Sequence, residues 1–291
     1  MTKIIAVLGC GLIGLSWAEA FLKAGFEVQC WDPNAAVQSQ IDALQQKIEG
    51  AQISYFADVK DAVLGAEFVQ ESCPERLDVK QAVYQSLEGA LGVGAIVASS
   101  TSTIMPSDLQ RGLSYADRFV IGHPFNPPHI LPLVEVVGGA LTSEATVQKA
   151  YDFYALIGKQ PIKLNVERMG HLANRIQAAV WRESIDAVAS GQASVADVEL
   201  AVTAALGPRW ALMGQFETFD LAGGAGGMAN FLGDIGTAIE ALWDDAQRPD
   251  MTDELKAKII AETQKLVGER EFAKKMERRD EFLKVVLAAK S

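Results

Sequence analysis

Ile4-Ile5-Ala6-Val7-Leu8-Gly9-Cys10-Gly11-Leu12-Ile13-Gly14 is the stretch on which the fold turns. A short run rich in β-branched residues meets three glycines at i, i+2 and i+5, and over residues 12–24 the apolar positions return at helical spacing. That order is a strand, a tight turn and a helix. Gly9 permits the turn, Gly11 lets the backbone approach a pyrophosphate, and Gly14 lets the helix lie close on the strand. An anion there rests on the first amides of the helix, at Leu12 and Ile13, where unpaired N–H groups and the helix dipole favour it. A second apolar run, residues 26–31, ends at Asp32, 18 residues beyond Gly14. A carboxylate at that place accepts the ribose hydroxyls of a dinucleotide. Pro33 and Asn34 follow without an arginine, so a 2′-phosphate would meet a negative charge and no cation. NAD is therefore the expected cofactor, in preference to NADP.

Outward from this unit, residues 35–49 and 59–64 read as helices, 68–70, 95–98 and 119–121 as short strands, and 79–87 as a helix between the first two of those strands. After Asp32 the chain is thus expected to reach Val69 through one helix and a short connection. Strands alternating with helices imply a parallel sheet covered on both faces. The runs at 133–137 and 160–166 are the last strands, and from Gly170 onward the spacing is helical, over residues 171–189, 195–206, 228–243 and 253–289 with a break near Gly268. The expected fold class is α/β, with an N-terminal doubly wound Rossmann domain (residues 1–167) and an all-α C-terminal domain (residues 168–291). The charged run 269–280 reads either as an interaction segment or, more commonly for such a run, as a solvated helix face.

Composition narrows the function classes. With 49% hydrophobic and 22% charged residues the chain is ordinary globular protein, not a disordered one. Its formal charge of −11 repels phosphate backbones and anionic lipid heads, so neither nucleic acid nor a membrane surface is an expected partner. Gly9, Gly11, Gly14 and Glu19 interrupt the opening apolar stretch, against a leader peptide. No stretch reaches the ~18 consecutive apolar residues of a transmembrane helix. Cys10, Cys30 and Cys73 lack metal-ligand spacing and sit in or beside apolar runs, which reads as reduced core thiols of a cytoplasmic protein with no metal site.

The histidines are His123, His129 and His171. His123 ends the strand 119–121, at the carboxyl edge of a parallel sheet where ligands collect. Glu135 lies on the next apolar run. If the two runs pair, the carboxylate accepts the imidazole N–H, fixes its tautomer and raises its basicity. Spacing alone leaves open that they are a surface histidine and an unrelated strand acid. Ser99-Ser100-Thr101-Ser102-Thr103, His123-Pro124-Phe125-Asn126-Pro127, Val134-Glu135-Val136-Val137 and Gly170-His171-Leu172-Ala173-Asn174-Arg175, in this order and spacing, resemble the 3-hydroxyacyl-CoA dehydrogenase family over nearly the whole chain. The resemblance implies His123 as catalytic base, Glu135 as its partner, and Ser102 and Asn174 as groups facing the substrate oxygen. It places Glu75, Lys80 and Asn126 at the nicotinamide end of the cofactor. His129, in the Pro-rich turn 124–132, and His171, where the family is usually apolar, are poorer bases that either line the cleft or are inert. The hydroxyls of Ser99, Ser100, Thr101 and Thr103 read as turn caps. Glu135→Gln, keeping a hydrogen bond, is expected to cost less than Glu135→Ala.

Within that family the chain resembles the branch of L-carnitine dehydrogenase and of the L-gulonate dehydrogenase known as lambda-crystallin. The carrying residues are Val69-Gln70-Glu71-Ser72-Cys73-Pro74-Glu75-Arg76-Leu77, Met105-Pro106-Ser107, Arg209-Trp210-Ala211 and Leu221-Ala222-Gly223-Gly224 with Gly227-Met228. The long helical arm that grips CoA is reduced here. The resemblance implies a free 3-hydroxy carboxylate as substrate and a homodimer. A carboxylate needs a cation, and Arg209, beyond a Gly207-Pro208 helix stop, is the first choice, with Arg175 and Arg182 in reserve. Trp210, Phe216 and Phe219 either wall a quaternary ammonium, with Glu217 or Asp220 nearby, or pack as helix core. The alternatives are a short-chain L-3-hydroxyacyl-CoA dehydrogenase and a non-catalytic NAD(H)-binding structural protein.

Overall fold

The computed structural model describes residues 3–268 and 272–290. The chain divides between Arg175 and Ile176 into two compact units. In the first, strands and helices alternate: β1 (Ile4–Leu8), α1 (Leu12–Lys23), β2 (Glu27–Trp31), α2 (Gln38–Lys47), β3 (Gln52–Phe56), α3 (Val59–Ala62), β4 (Phe68–Glu71), α4 (Leu77–Ser86), β5 (Ile96–Ser99), α5 (Pro106–Leu109), β6 (Phe119–Pro124), β7 (Leu133–Val137), α6 (Glu144–Leu156) and β8 (Gln160–Lys163). One sheet takes them in the order β3-β2-β1-β4-β5-β6-β7-β8. All neighbours run parallel except β6 and β7. This is a doubly wound Rossmann sheet, and the order reverses between β1 and β4, which opens a crevice at their carboxyl ends.

Alternating side chains of the central strands feed two cores. Ile5, Val7, Val28 and Phe68 pack with Trp17, Phe21 and Tyr154 on one face. Ala6, Leu8, Val69 and Val97 pack with Val63, Tyr84 and Leu87 on the other. Burial on both faces explains why these strands read as continuous apolar runs. Two elements depart from the sequence reading. The connection to Val69 is not one helix and a short link, because β3 adds an edge strand in which only Ile53 is fully buried. Helix α6, capped by Ser143, buries just Thr146, Ala150 and Tyr154 completely, too thin a stripe to stand out.

The second unit is all helical. It follows from α7 (Ala173–Ala189), whose first turn contains the division, through α8 (Val195–Ala201), α9 (Gly207–Leu212), α10 (Gln215–Ala222), α11 (Gly227–Asp245) and α12 (Asp253–Val267) to α13 (Phe272–Ala288). Gly207-Pro208 is not a helix stop. A π-helical turn, Val202–Leu206, joins α8 to α9 without interruption. The wider turn accommodates the proline that lacks an N–H, and a Cβ at Gly207 would lie 3.1 Å from the Val202 carbonyl oxygen. Of the expected charged run 269–280, residues 269–271 lie outside the described residues. Among the described residues no helix is long and apolar enough to cross a membrane.

Candidate active site

The loops that leave β1, β4 and β5 meet at the switch point. Gly9 has φ +87°, and a Cβ there would come within 2.7 Å of the Cys73 nitrogen, so the loops after β1 and β4 touch through a bare glycine. A Cβ at Gly14 would overlap the Gly9 carbonyl oxygen at 1.8 Å, which is the close helix-on-strand packing expected. At Gly11 a Cβ would meet nothing within 4 Å. Helix α1 starts there without a side-chain cap, with Leu12 exposed and Ile13 half-buried. An uncapped helix N-terminus facing open space fits a pyrophosphate. Asp32 is held against this loop: its Oδ2 accepts the Cys10 N–H at 2.8 Å and its Oδ1 the Asn34 N–H at 2.8 Å. The residues present therefore fit NAD.

A buried acid organises the loop after β4. Glu71, fully buried, accepts from the Lys80 ammonium at 2.7 Å, the Ser99 hydroxyl at 2.7 Å, the Cys73 N–H at 2.5 Å and the Tyr84 hydroxyl. Lys80 also donates to the Cys73 carbonyl at 3.0 Å and lies 3.8 Å from Glu75. Its ammonium thus sits beneath the loop, 1% exposed, rather than at the cofactor-facing surface the family resemblance suggests. Glu75 collects the loop after β5. Its Oε1 accepts the N–H of Ser102 and of Thr103, each at 2.8 Å, and the hydroxyls of Thr101, Ser102 and Thr103 at 2.7 to 3.1 Å. Partial burial pushes the Glu75 carboxyl up, but these donors and the nearby Lys80 charge outweigh it and leave the group below its ordinary value. Ser99 Oγ accepts the Thr101 N–H at 3.2 Å and Thr101 Oγ1 the Ile104 N–H at 3.1 Å, the expected turn caps, while the Thr101 and Thr103 hydroxyls also donate to Glu75.

His123 and Glu135 are direct partners across the antiparallel β6–β7 pair. The His123 Nδ1 is 2.8 Å from the Glu135 Oε2. A carboxylate can only accept here, so Nδ1 carries the proton and Nε2 the lone pair of a base. Glu135 is fully buried, and its other oxygen accepts the N–H of Leu172 at 2.9 Å and of Ala173 at 2.8 Å. Burial pushes this carboxyl up, and the His123 and backbone hydrogen bonds bring it below its ordinary value. The two amides were invisible to sequence reasoning, and they predict the opposite ranking of the Glu135 variants.

His129 docks the Pro-rich turn on α1, its N–H donating to the Ser16 Oγ at 2.9 Å and its Nδ1 lying 2.7 Å from the same oxygen. Asn126 is exposed on that turn, and Asn174 is half-buried in the first turn of α7. His171, which the sequence left as a cleft or inert residue, is 3% exposed, with its ring centroid 5.1 Å from that of His123. Glu71 was missed as a centre altogether, although an acid closing the apolar run 68–70, with Lys80 nine residues later, was a signal. In the second unit Arg209 is exposed, its Nε donating to the Ala205 carbonyl at 3.2 Å, and among the described residues it has no acidic partner. Trp210 is half-buried beside Val202 and Leu206. Phe219 stacks on Phe231 at 4.6 Å, Phe216 is 85% exposed, and Asp220 accepts the Met228 N–H, so the structure does not gather these residues into one aromatic wall.

Known proteins resemble this chain in sequence and fold. A model of the NAD binding domain of 3-hydroxyacyl-CoA dehydrogenase matches residues 4–167, and a model of the C-terminal domain of 3-hydroxyacyl-CoA dehydrogenase matches residues 170–273. L-carnitine dehydrogenase of Streptomyces coelicolor is 39% identical over 98% of this chain and 94% of its own length. L-carnitine dehydrogenase of Oceanobacillus iheyensis is 36% identical over 97% of this chain and 96% of its own. The crystal structure of an NAD+ dependent dismutase, 5-formyl-3-hydroxy-2-methylpyridine 4-carboxylic acid 5-dehydrogenase, superposes with a TM-score of 0.76 at 30% identity, covering 87% of this chain and 84% of that one. With both family models matched in order over most of its length, this chain belongs to the 3-hydroxyacyl-CoA dehydrogenase family.

Proposed function

We propose that this chain oxidises the 3-hydroxyl group of a small, free 3-hydroxy carboxylate, carnitine-like or gulonate-like, with His123 as the base. Family membership makes the chain an NAD-dependent oxidoreductase. The observation that carries the chemistry is the buried His123–Glu135 pair at the carboxyl edge of the sheet, with the imidazole already in the tautomer of a base. Two things support a free acid over a CoA thioester. The two carnitine dehydrogenases above are named for a free acid, as is the dismutase for a pyridine carboxylic acid, and only a 3-10 turn (Ala35–Val37) and the 10-residue α2 lie between β2 and β3, shorter than the arm the family resemblance implies for CoA members.

The glycine loop with Leu12 and Ile13 would hold the pyrophosphate and Asp32 the ribose, while Glu75, Ser102 and Asn126 would border the nicotinamide, with Lys80 bracing Glu75 from below. Bound NAD would supply the acceptor for the hydride that leaves carbon 3. As that bond breaks, His123 Nε2 takes the hydroxyl proton, and the Glu135 carboxylate stabilises the resulting imidazolium. Ser102 and Asn174 hold the oxygen. Arg209 is our assignment for the substrate carboxylate, with Trp210 beside it and Arg175 and Arg182 in reserve. We read the active form as a cytoplasmic homodimer. Buried free thiols at Cys10, Cys30 and Cys73 support the compartment. Apolar side chains of the helical unit left exposed, among them Leu200, Leu212, Leu232 and Trp243, support the dimer.

NAD reduction assayed with carnitine, gulonate, 3-hydroxybutyrate and 3-hydroxybutyryl-CoA tests the reading. A free acid should have the highest kcat/KM, and the CoA thioester in first place would replace it with the acyl-CoA activity. His123→Ala should lower kcat about 10²–10⁴-fold and leave NAD affinity nearly intact. Light scattering that found a monomer at micromolar concentration would overturn the dimer.

A further inference from the structure

His171 is the one residue other than glycine that takes a positive φ, +50°, among the described residues. It follows Gly170 at φ +77° and is itself 3% exposed. A bulky residue held in this region is strained, and such strain persists only where the surroundings over-determine it. Here they do. The two residues after His171 donate both amides to Glu135 Oε1, while the His171 side chain reaches the other way, its Nε2 lying 3.0 Å from the Thr101 carbonyl oxygen.

A carbonyl oxygen only accepts, so the His171 proton is on Nε2 and Nδ1 is a lone pair. That Nδ1 is buried and has no hydrogen-bond partner among the described residues. The tautomer is therefore opposite to that of His123, whose proton is on Nδ1. One residue joins the carboxylate clamp of the dyad to the peptide immediately before Ser102, while Glu75 grips the amide and hydroxyl of Ser102 from the other side. We propose that His171 is a positioning residue of the dehydrogenase site: it sets the Ser102 loop against the His123–Glu135 pair, and it does so productively only as the neutral imidazole.

The charge condition follows from the neighbours. His123 on β6 faces the ring at 5.1 Å, Glu135 on β7 touches the backbone just after it, Glu75 lies beyond the Ser102 loop, and Arg168 and Arg175 on its own segment are exposed. Burial and the His123 charge push the His171 imidazole down from its ordinary value, against the Thr101 carbonyl and the two acids that pull it up. During oxidation His123 must become a cation. A second cation about 5 Å away would oppose that step by about 10²-fold at an effective dielectric of about 20.

The proposal rests on the dehydrogenase reading, and its test separates the two. If the wild-type protein oxidises none of the four compounds above, that reading fails, and the ring ¹⁵N shifts of His171 in the protein alone still decide the tautomer. A proton on Nδ1 at pH 7.5 overturns the proposal. With an active substrate, His171→Phe should lower kcat about tenfold by loss of the Thr101 tie, with NAD affinity within about twofold. His171→Gln, whose amide nitrogen stands near the Nε2 position and takes no proton, should recover most of that rate at pH 8. On the acid side, log kcat/KM of the wild type should show a second break, from protonation of His171, that His171→Gln lacks. Wild-type kcat in His171→Phe overturns the proposal, as does a second acid break that survives in His171→Gln. Should His171→Phe fail to fold, the profile of His171→Gln decides alone.

Discussion

Replacing Glu135 by Gln, an isosteric change, should be at least as damaging to catalysis as replacing it by Ala, because the carboxylate serves two masters. Oε2 accepts from His123 Nδ1, and Oε1 accepts the Leu172 and Ala173 N–H groups. The backbone amides can only donate, so the single amide oxygen of Gln must face them and its NH₂ must face His123. Nδ1 then has to accept, the proton moves to Nε2, and the lone pair that takes the substrate proton is lost. Turning the amide round restores the tautomer but faces two buried N–H groups with a donor, at about 1–3 kcal/mol each. The productive state is thus about 2–6 kcal/mol uphill, or between about 30-fold and 10⁴-fold in kcat at 1.4 kcal/mol per factor of ten. Ala leaves both tautomers accessible, but orphans two amides and so loses thermal stability that Gln keeps. The assay is steady-state NAD reduction with purified variants, alongside thermal unfolding. The expected pattern is crossed, with Gln stable and nearly inactive, and Ala less stable and no less active than Gln. A Gln variant within tenfold of wild-type kcat, or clearly more active than Ala, refutes the reasoning.

Gly11→Ala should leave the melting temperature unchanged or slightly raised while weakening NAD binding, because its Cβ meets only open space where the pyrophosphate belongs, whereas Gly14→Ala should destabilise the fold by more than about 1 kcal/mol through collision with the Gly9 carbonyl. Equal effects of the two on unfolding would contradict this account of the loop. Arg209→Lys should raise KM for the free hydroxy acid with NAD affinity unaltered, since an ammonium cannot make the paired hydrogen bonds of a guanidinium, and an unchanged KM removes Arg209 from the site. Stability should fall in two steps on acidification. His171 titrates below its ordinary 6.5 in the folded state, so the unfolded chain binds the extra proton and stability declines as pH drops below about 6.5. Glu75 and Glu135, held below their ordinary 4.5, contribute stability that is present above that value and lost as pH falls through their folded pKa. Melting temperatures read from pH 8 to 3 check both windows, and His171→Gln should remove only the upper one.

The glycine loop, the strand before it, the acid at the end of β2 and the switch to helices after β8 were legible because each is a local pattern. A glycine at +87° or an apolar run buried on both faces follows from its own few residues and their period. Strand β3 and helix α6 were not legible, since an edge strand with one fully buried side chain and a helix with three leave weak periodic signals. The joint at Gly207-Pro208 misled because a proline after a glycine ordinarily ends a helix, and the π turn that lets this one continue depends on the Val202 carbonyl a turn away.

At the site, the residue types and their places in order were written in the sequence, and the partners of each polar atom were not. The chain itself determined a nucleotide-binding Rossmann fold, a preference for NAD through Asp32, and a histidine and an acid on consecutive strands. Only the tertiary structure decided that Lys80 turns inward to Glu71, that Glu135 holds two amides 37 and 38 residues away, and that His171 has the opposite tautomer to His123. The physical reason is that a hydrogen bond is specified by distance and direction between groups that sequence separates. Burial removes water as the alternative partner, so the few donors and acceptors that the fold brings within 3 Å settle where each proton resides.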